Sequence, residues 1–279
     1  MSVPPVPTEI VIAPGRADRN YWRDLWRYRE LFQVLAWRDF AVRYRQTVVG
    51  VAWAVMRPLL TMVVLTVIFN KVAGLTSEGN APYALMVLAG MLPWIFFSTA
   101  LADASNSLIA NNGLISKIYF PRLIVPTATI IVSVVDFLIG LVILAAMMVW
   151  YGYAPNWQLV FLPLFGIMAF LAALGPGLWV TAINVRYRDF RYVIPFIVQF
   201  GLYVSPVGFA FSKIPEEWRL LYSLNPMVGV INGFRWSILG GDAPLYWPSV
   251  AISALTIAFL LWLGIRQFRK LERSFADLI

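Results

Sequence analysis

The chain contains no cysteine and no histidine. Without thiols there is no disulfide and no cysteine nucleophile. Without imidazole the commonest general base and metal ligand near neutral pH is gone, so any catalysis would rest on carboxylates. Charge is scarce too: Asp, Glu, Lys and Arg make up 13% of the 279 residues, against about 25% in a typical soluble domain. Nor is there a Gly-x-x-x-x-Gly-Lys-Ser/Thr phosphate loop, a Gly-x-Gly-x-x-Gly turn, a His-Glu-x-x-His pair or a Gly-x-Ser-x-Gly elbow. The chain therefore has no recognisable means of hydrolysing ATP unaided.

What is abundant is apolar surface. Hydrophobic residues form 60% of the sequence and the mean hydropathy is +0.73, which places the chain in a lipid bilayer. A transmembrane helix needs roughly 20 apolar residues to cross about 30 Å of hydrocarbon, where no water satisfies an exposed peptide group. Six stretches meet this requirement, near Val48 to Phe69, Ala81 to Ala102, Leu123 to Trp150, Leu159 to Ile183, Val193 to Phe211 and Trp247 to Ile265. The sequence thus predicts an all-α integral membrane protein with six transmembrane helices. Arg57-Pro58 interrupts the first stretch and leaves only Leu59 to Phe69 unbroken, which predicts a broken or obliquely entering helix.

The net charge of +8 and the pI near 9.9 would suggest nucleic acid in a soluble protein, but in a membrane protein basic residues collect on the cytoplasmic side. With a cytoplasmic amino terminus, eight precede the first span, from Arg16 to Arg45. Lys117 and Arg122 follow span two, Arg186, Arg188 and Arg191 follow span four, and Arg266, Arg269, Lys270 and Arg273 follow span six. The opposite side holds Lys71, Lys213, Arg219 and Arg235. Both termini are therefore expected in the cytoplasm of a multi-pass plasma membrane protein, with no nucleic-acid partner. No secretory signal peptide is expected, since a long polar and amphipathic stretch precedes the first span.

Outside the spans, residues 1–19 carry Pro4, Pro5, Pro7 and Pro14 and read as a flexible amino terminus. Residues 20–46 form a cytoplasmic interface and gate region. There Tyr21, Leu25, Tyr28, Phe32 and Leu35 recur at helical spacing while Arg23, Arg27 and Glu30 fall elsewhere on the wheel. Such a helix either lies in the headgroup layer, anchored by Trp22 and Trp26, or offers a face to a cytoplasmic protein, and the two are compatible. After span two, Asn111-Asn112-Gly113 signals a turn before a short helix. Leu114, Ile115, Ile118, Tyr119 and Phe120 are too apolar to face cytosol. They pack either on neighbouring helices or on a separate protein. Within the six-helix region, residues 47–270, an external helical hairpin is expected over residues 213–241. Its two starts are Pro215 before Glu216 and Glu217, and Asn225-Pro226; Gly240-Gly241 closes it. Trp218, Tyr222, Phe234 and Trp236 make the hairpin either an outer gate or part of an aromatic belt. Residues 271–279 are a cytoplasmic tail.

Intramembrane Asp103 and Asp136 are functional suspects, because ionising a carboxylate there is expensive. Each is single along the sequence, which favours helix packing with Asp136 protonated or paired. Arg57 either snorkels to the inner headgroups or meets an anionic lipid substrate.

Arg38-Asp39, Val42-Arg43-Tyr44-Arg45-Gln46-Thr47 with Gly50, Trp53 and Pro58, then Lys117-Ile118-Tyr119-Phe120-Pro121-Arg122, Arg186-Tyr187-Arg188-Asp189, Ser205-Pro206-Val207 and Leu224-Asn225-Pro226-Met227 through Gly233-Phe234-Arg235-Trp236 follow one another in order. Together, over roughly residues 20 to 270, they resemble the permeases of ABC-2 type polysaccharide exporters. The resemblance implies a homodimeric pore joined to two copies of a separate ATPase, which holds the ATP and Mg; this chain itself carries no cofactor and no metal. The cargo would be a lipid-linked glycan such as O-antigen, capsule or a teichoic acid precursor. ATPase coupling would fall to Tyr21, Arg23, Arg27 and Glu30 and to Asn111, Asn112, Gly113, Leu114, Ile115, Lys117, Ile118, Tyr119 and Phe120. The gate helix would run from Phe40 to Met56. A conduit for a sugar polymer needs donors and aromatic faces, for which Arg43, Arg45, Trp53, Arg57, Trp94, Phe96, Phe97 and Tyr203 are the candidates. The rivals are an ATP-independent channel or carrier and an integral membrane glycan-modifying enzyme using Glu216, Glu217, Arg219 and Arg235.

Overall fold

A computed structural model describes residues 21–44, 48–187, 189–272 and 275. Arg45 and the amino-terminal residues 1–20 lie outside the described residues. The described chain is helical throughout. In order it forms α1 (Tyr21–Arg27), α2 (Arg29–Tyr44), α3 (Val48–Leu65), a π-helical turn (Thr66–Val72), α4 (Tyr83–Ala110), α5 (Asn112–Ile115), α6 (Ile124–Trp150), a 3-10 turn (Trp157–Phe161), α7 (Leu162–Arg186), α8 (Phe190–Val204), α9 (Glu216–Tyr222), α10 (Pro226–Leu239) and α11 (Trp247–Glu272).

Among the described residues five helices are long and apolar enough to cross a membrane: Ala52–Val72, Tyr83–Ala110, Ile124–Trp150, Trp157–Arg186 and Trp247–Glu272. Each coincides with an expected span. The stretch Val193 to Phe211 differs, because α8 stops at Val204 after 15 residues. Pro206 pushes Ser205 into extended backbone, with φ −91° and ψ 151°, and the helix ends there. The first span also departs from expectation. Pro58 does not break α3, and the irregularity appears later, as the π-helical turn. Thr61 donates 2.8 Å from its hydroxyl to the Arg57 carbonyl, one turn back on the same helix.

The centre of the bundle is α4, which is apolar all round and buried on nearly every face, from Leu85 to Leu92 without interruption. It packs against α3, α6, α7, α8 and α10. Since lipid offers no hydrophobic drive between helices, close approach and polar ties decide the packing. A Cβ added to Gly175 of α7 would sit 2.7 Å from the Leu261 nitrogen of α11, so glycine alone allows that crossing. Thr181 donates 2.7 Å to the Ala104 carbonyl, and Asn184 donates 2.8 Å to that of Ser105, tying α7 to α4.

Helices α9 and α10 begin and end at the expected residues. Asn225 caps α10 by accepting 3.0 Å from the Met227 amide, and Gly240 ends it at φ 60°. Their packing differs from a surface hairpin. Helix α9 is exposed, but α10 is sunk among α4, α7 and α11, because Gly229 and Gly233 let it press on Ser253 and Phe165.

Candidate functional site

At the basic end of the bundle, carrying Arg23, Arg27, Lys117, Arg122, Arg269 and Lys270, a second hydrophobic cluster joins elements far apart in sequence. Tyr21, Leu35, Ile115, Phe120, Phe268 and Phe275 are buried in it, with Leu25, Tyr28, Leu31 and Phe32 packed alongside. The apolar stripe of α1 and α2 is therefore covered by the chain itself, and its reading as a lipid-facing stripe is corrected. Trp22 and Trp26 remain exposed. Arg122 locks the loop to the end of α11: its backbone nitrogen donates 2.8 Å to the Glu272 carboxylate and its guanidinium 2.5 Å to the Glu272 carbonyl. Arg269 lies 4.7 Å over the Tyr21 ring. Burial, and then the Glu272 charge, push the Tyr21 phenol above its ordinary range, so it stays neutral.

The loop after α4 divides in two. Its short helix is a single turn, Asn112–Ile115. Ile115 and Phe120 turn inward, 6% and 3% exposed, whereas Ile118 and Tyr119 are 52% and 55% exposed beside exposed Lys117. Asn112, Gly113 and the α1–α2 residues Arg23, Arg27 and Glu30 are exposed as well, while Leu114 is half-buried. Desolvation, then the Asp24 and Glu272 charges, hold the Tyr119 phenol above its usual value, leaving an uncharged hydroxyl at the surface. Asn111 accepts 2.6 Å from Arg38 of α2 and donates 2.8 Å to Ser107.

One turn further along α2, Arg43 forks between two carboxylates. It pairs with Asp103 of α4 through one nitrogen and with Asp136 of α6 through the other, at 2.9 Å. Tyr44 donates to the second oxygen of Asp136, and Ser133 donates 3.5 Å to Asp103. The two acids are thus not single, as they read along the sequence, but share one cation. The available signal was that both belong to the helices flanking one short loop. All three side chains keep about a quarter to a third of their surface, so water screens the pairing in part.

Beside this clamp lies a cavity of 270 Å³ lined by Arg43, Tyr44, Trp53, Arg57, Phe96 and Asp136, among others. Arg57 and Thr99 also wall a neighbouring cavity of 420 Å³ with Trp94, Ser98 and Gln199. Five of the eight proposed path residues therefore meet around one pair of cavities. Phe97 packs tilted against Trp94, ring centroids 5.4 Å apart, and lines neither, and Tyr203 lines a separate crevice with Phe69 and Gly208. The proposed outer-gate residues part company. Trp218 and Tyr222 line an exposed groove, but Phe234 is in the core against Phe137, and Trp236 packs among Trp157, Phe161 and Trp247. Phe234 faces inward because it shares the buried side of α10 with Ile238.

Sequence reasoning did not foresee the role of Arg235. It is 1% exposed, and its guanidinium donates to the carbonyls of Met86 at 3.2 Å, Phe209 at 2.8 Å and Val207 at 2.7 Å. Two of these carbonyls, of Val207 and Phe209, lie in the non-helical segment after α8 and find their donor on α10. That engagement leaves Arg235 no free donor face for catalysis. Among the described residues there is no cluster of acids able to hold a metal.

A bundle of apolar helices enclosing a charged clamp and polar cavities is the architecture of a membrane transport domain. Residues 30–239 match the ABC-2 type transporter family, and the chain belongs to it. It is 28% identical over 259 residues to the O-antigen export system permease protein RfbA of Myxococcus xanthus, covering 92% of this chain and 98% of that protein. To the protein of the same name from Klebsiella pneumoniae it is 26% identical, covering 90% and 95%. To the polysialic acid transport protein KpsM of Escherichia coli it is 23% identical, covering 87% and 93%.

Proposed function

We propose that this chain is the membrane-spanning subunit of an ATP-driven exporter that moves a lipid-linked polysaccharide from the cytoplasmic to the outer side of the bacterial plasma membrane. The observation that carries the reading is the near end-to-end similarity to permeases named for O-antigen and polysialic acid transport, on a chain with no phosphate loop. ABC-2 permeases ordinarily work with an ATPase subunit, and the exposed Lys117, Ile118 and Tyr119, flanked by α1, offer a mixed apolar and basic surface for it. With both termini cytoplasmic, crossings come in pairs. Helix α8, about 22 Å long at 1.5 Å per residue, and the buried segment after it supply the sixth.

The exposed apolar faces of α3 and α8, including Trp53, Leu60, Phe196, Phe200 and Tyr203, suit a second copy of the chain. In the resulting pore, ring faces stack on sugar rings, and the charged lipid head enters near Arg57.

The test is reconstitution in liposomes with a cognate ATPase and a lipid-linked glycan. Export that requires both the ATPase and ATP is expected. Full export by this chain alone would establish the ATP-independent carrier instead, and glycan extension or modification by the purified chain would establish the enzyme.

A further inference from the structure

Arg43 stands between two spaces whose largely apolar walls carry a few charged residues. One is a cavity of 530 Å³ bordered by Arg38, Asp39, Asp103, Asn106, Asn111 and Thr129. The other is the 270 Å³ cavity containing Arg57, Thr99 and Asp136. Among the described residues Arg43 is the one common to both walls, and each space has one of its two carboxylates. We propose that Arg43 is a positioning residue acting as a latch. Paired with Asp103 and Asp136 it closes the passage between the cavities, and displacement of α2 opens it, admitting the phosphate-bearing head of a lipid-linked substrate toward Arg57. The proposal rests on the exporter reading for its substrate and its drive, but the passage itself does not.

Two features give the latch its direction. Closed, the cluster holds two carboxylates against one guanidinium and repels an arriving anion, so the barrier is electrostatic as well as steric. The latch is also mechanically placed. It lies in the last turn of α2, and Arg38, five residues earlier on the same helix, grips Asn111 at the end of α4. A push on the loop after α4 therefore reaches α2 and Arg43 together. Both links are charge-assisted hydrogen bonds, stronger than neutral ones but reversible when partly hydrated.

The absence of cysteine allows a direct test. Thr129→Cys reports on the first cavity and Thr99→Cys on the second, and each is challenged with a membrane-impermeant thiol reagent from the cytoplasmic face of inside-out vesicles. With the latch intact, Thr129→Cys reacts readily and Thr99→Cys slowly. Combining Asp103→Asn with Asp136→Asn, which keeps shape and removes charge, is expected to accelerate Thr99→Cys about tenfold while leaving Thr129→Cys unchanged. Arg43→Lys, a point charge unable to fork, should fall between. No acceleration at Thr99→Cys, or an equal one at Thr129→Cys, overturns the latch. If the paired Asn variant accelerates labelling but an ATP-loaded partner ATPase does not, the ATP-driven reading fails while the passage stands.

Discussion

Replacing Arg235 by alanine removes the one cation that holds α10, α4 and the turn after α8 together. Its three hydrogen bonds go to backbone carbonyls of Met86, Val207 and Phe209. A hydrogen bond to a charged group contributes about 1.5–3 kcal/mol net, so three approach about 5–9 kcal/mol before any offset. The offset is large, because burying a guanidinium costs several kcal/mol that alanine recovers. Alanine also leaves a void and the carbonyls of Val207 and Phe209 without that donor, so the expected net loss is about 3–5 kcal/mol. At about 2–4 °C per kcal/mol, thermal unfolding of the purified protein, followed by tryptophan fluorescence at a fixed scan rate, should fall by roughly 10 °C. Arg235→Met fills the void and should fall less, and Arg235→Lys, with one compact donor group, should lie between wild type and alanine. Gly90→Ala offers an independent approach, since the added Cβ would lie 2.8 Å from the Arg235 guanidinium and push it off its carbonyls. Midpoints within about 2 °C of wild type for Arg235→Ala would refute the argument that this cation fastens the outer elements.

Gly175→Val should separate α7 from α11 and abolish a monodisperse detergent-solubilised protein, as size-exclusion chromatography would report; a normal profile would mean the crossing tolerates a side chain. Lys117→Glu and Tyr119→Ala should weaken co-purification of the ATPase several-fold without changing membrane insertion, and undiminished pull-down would remove this surface as the docking site. Arg57→Ala should lower export at least tenfold while leaving dimer formation intact in cross-linking, because it removes a cation shared by two cavity walls. An unaltered export rate would return Arg57 to a snorkelling role.

The spans were readable from hydropathy because lipid imposes a length and composition that few other environments demand. The starts of α9 and α10 were readable from Pro215 and Asn225-Pro226, since caps and fixed φ are local properties. What covers a given apolar residue was not local. Ile115 and Ile118 look alike in sequence, yet one is buried and the other exposed, and the difference depends on where the end of α11 returns. Arg235 was illegible for a related reason: its partners are backbone carbonyls, which have no sequence signature. Asp103 and Asp136 read as isolated because their shared cation comes from a helix 60 and 93 residues away.

The cluster at the basic end also orders events in the life of the protein. Helices α1 and α2 emerge first during synthesis, and their partners arrive in stages: α2 packs on α6, whereas Phe268, Glu272 and Phe275 follow only after the last span. Until then the loop bearing Tyr119 lacks the Glu272 contacts that fix Arg122. A half-made chain therefore leaves the surface around Tyr119 unfinished until the end of α11 arrives.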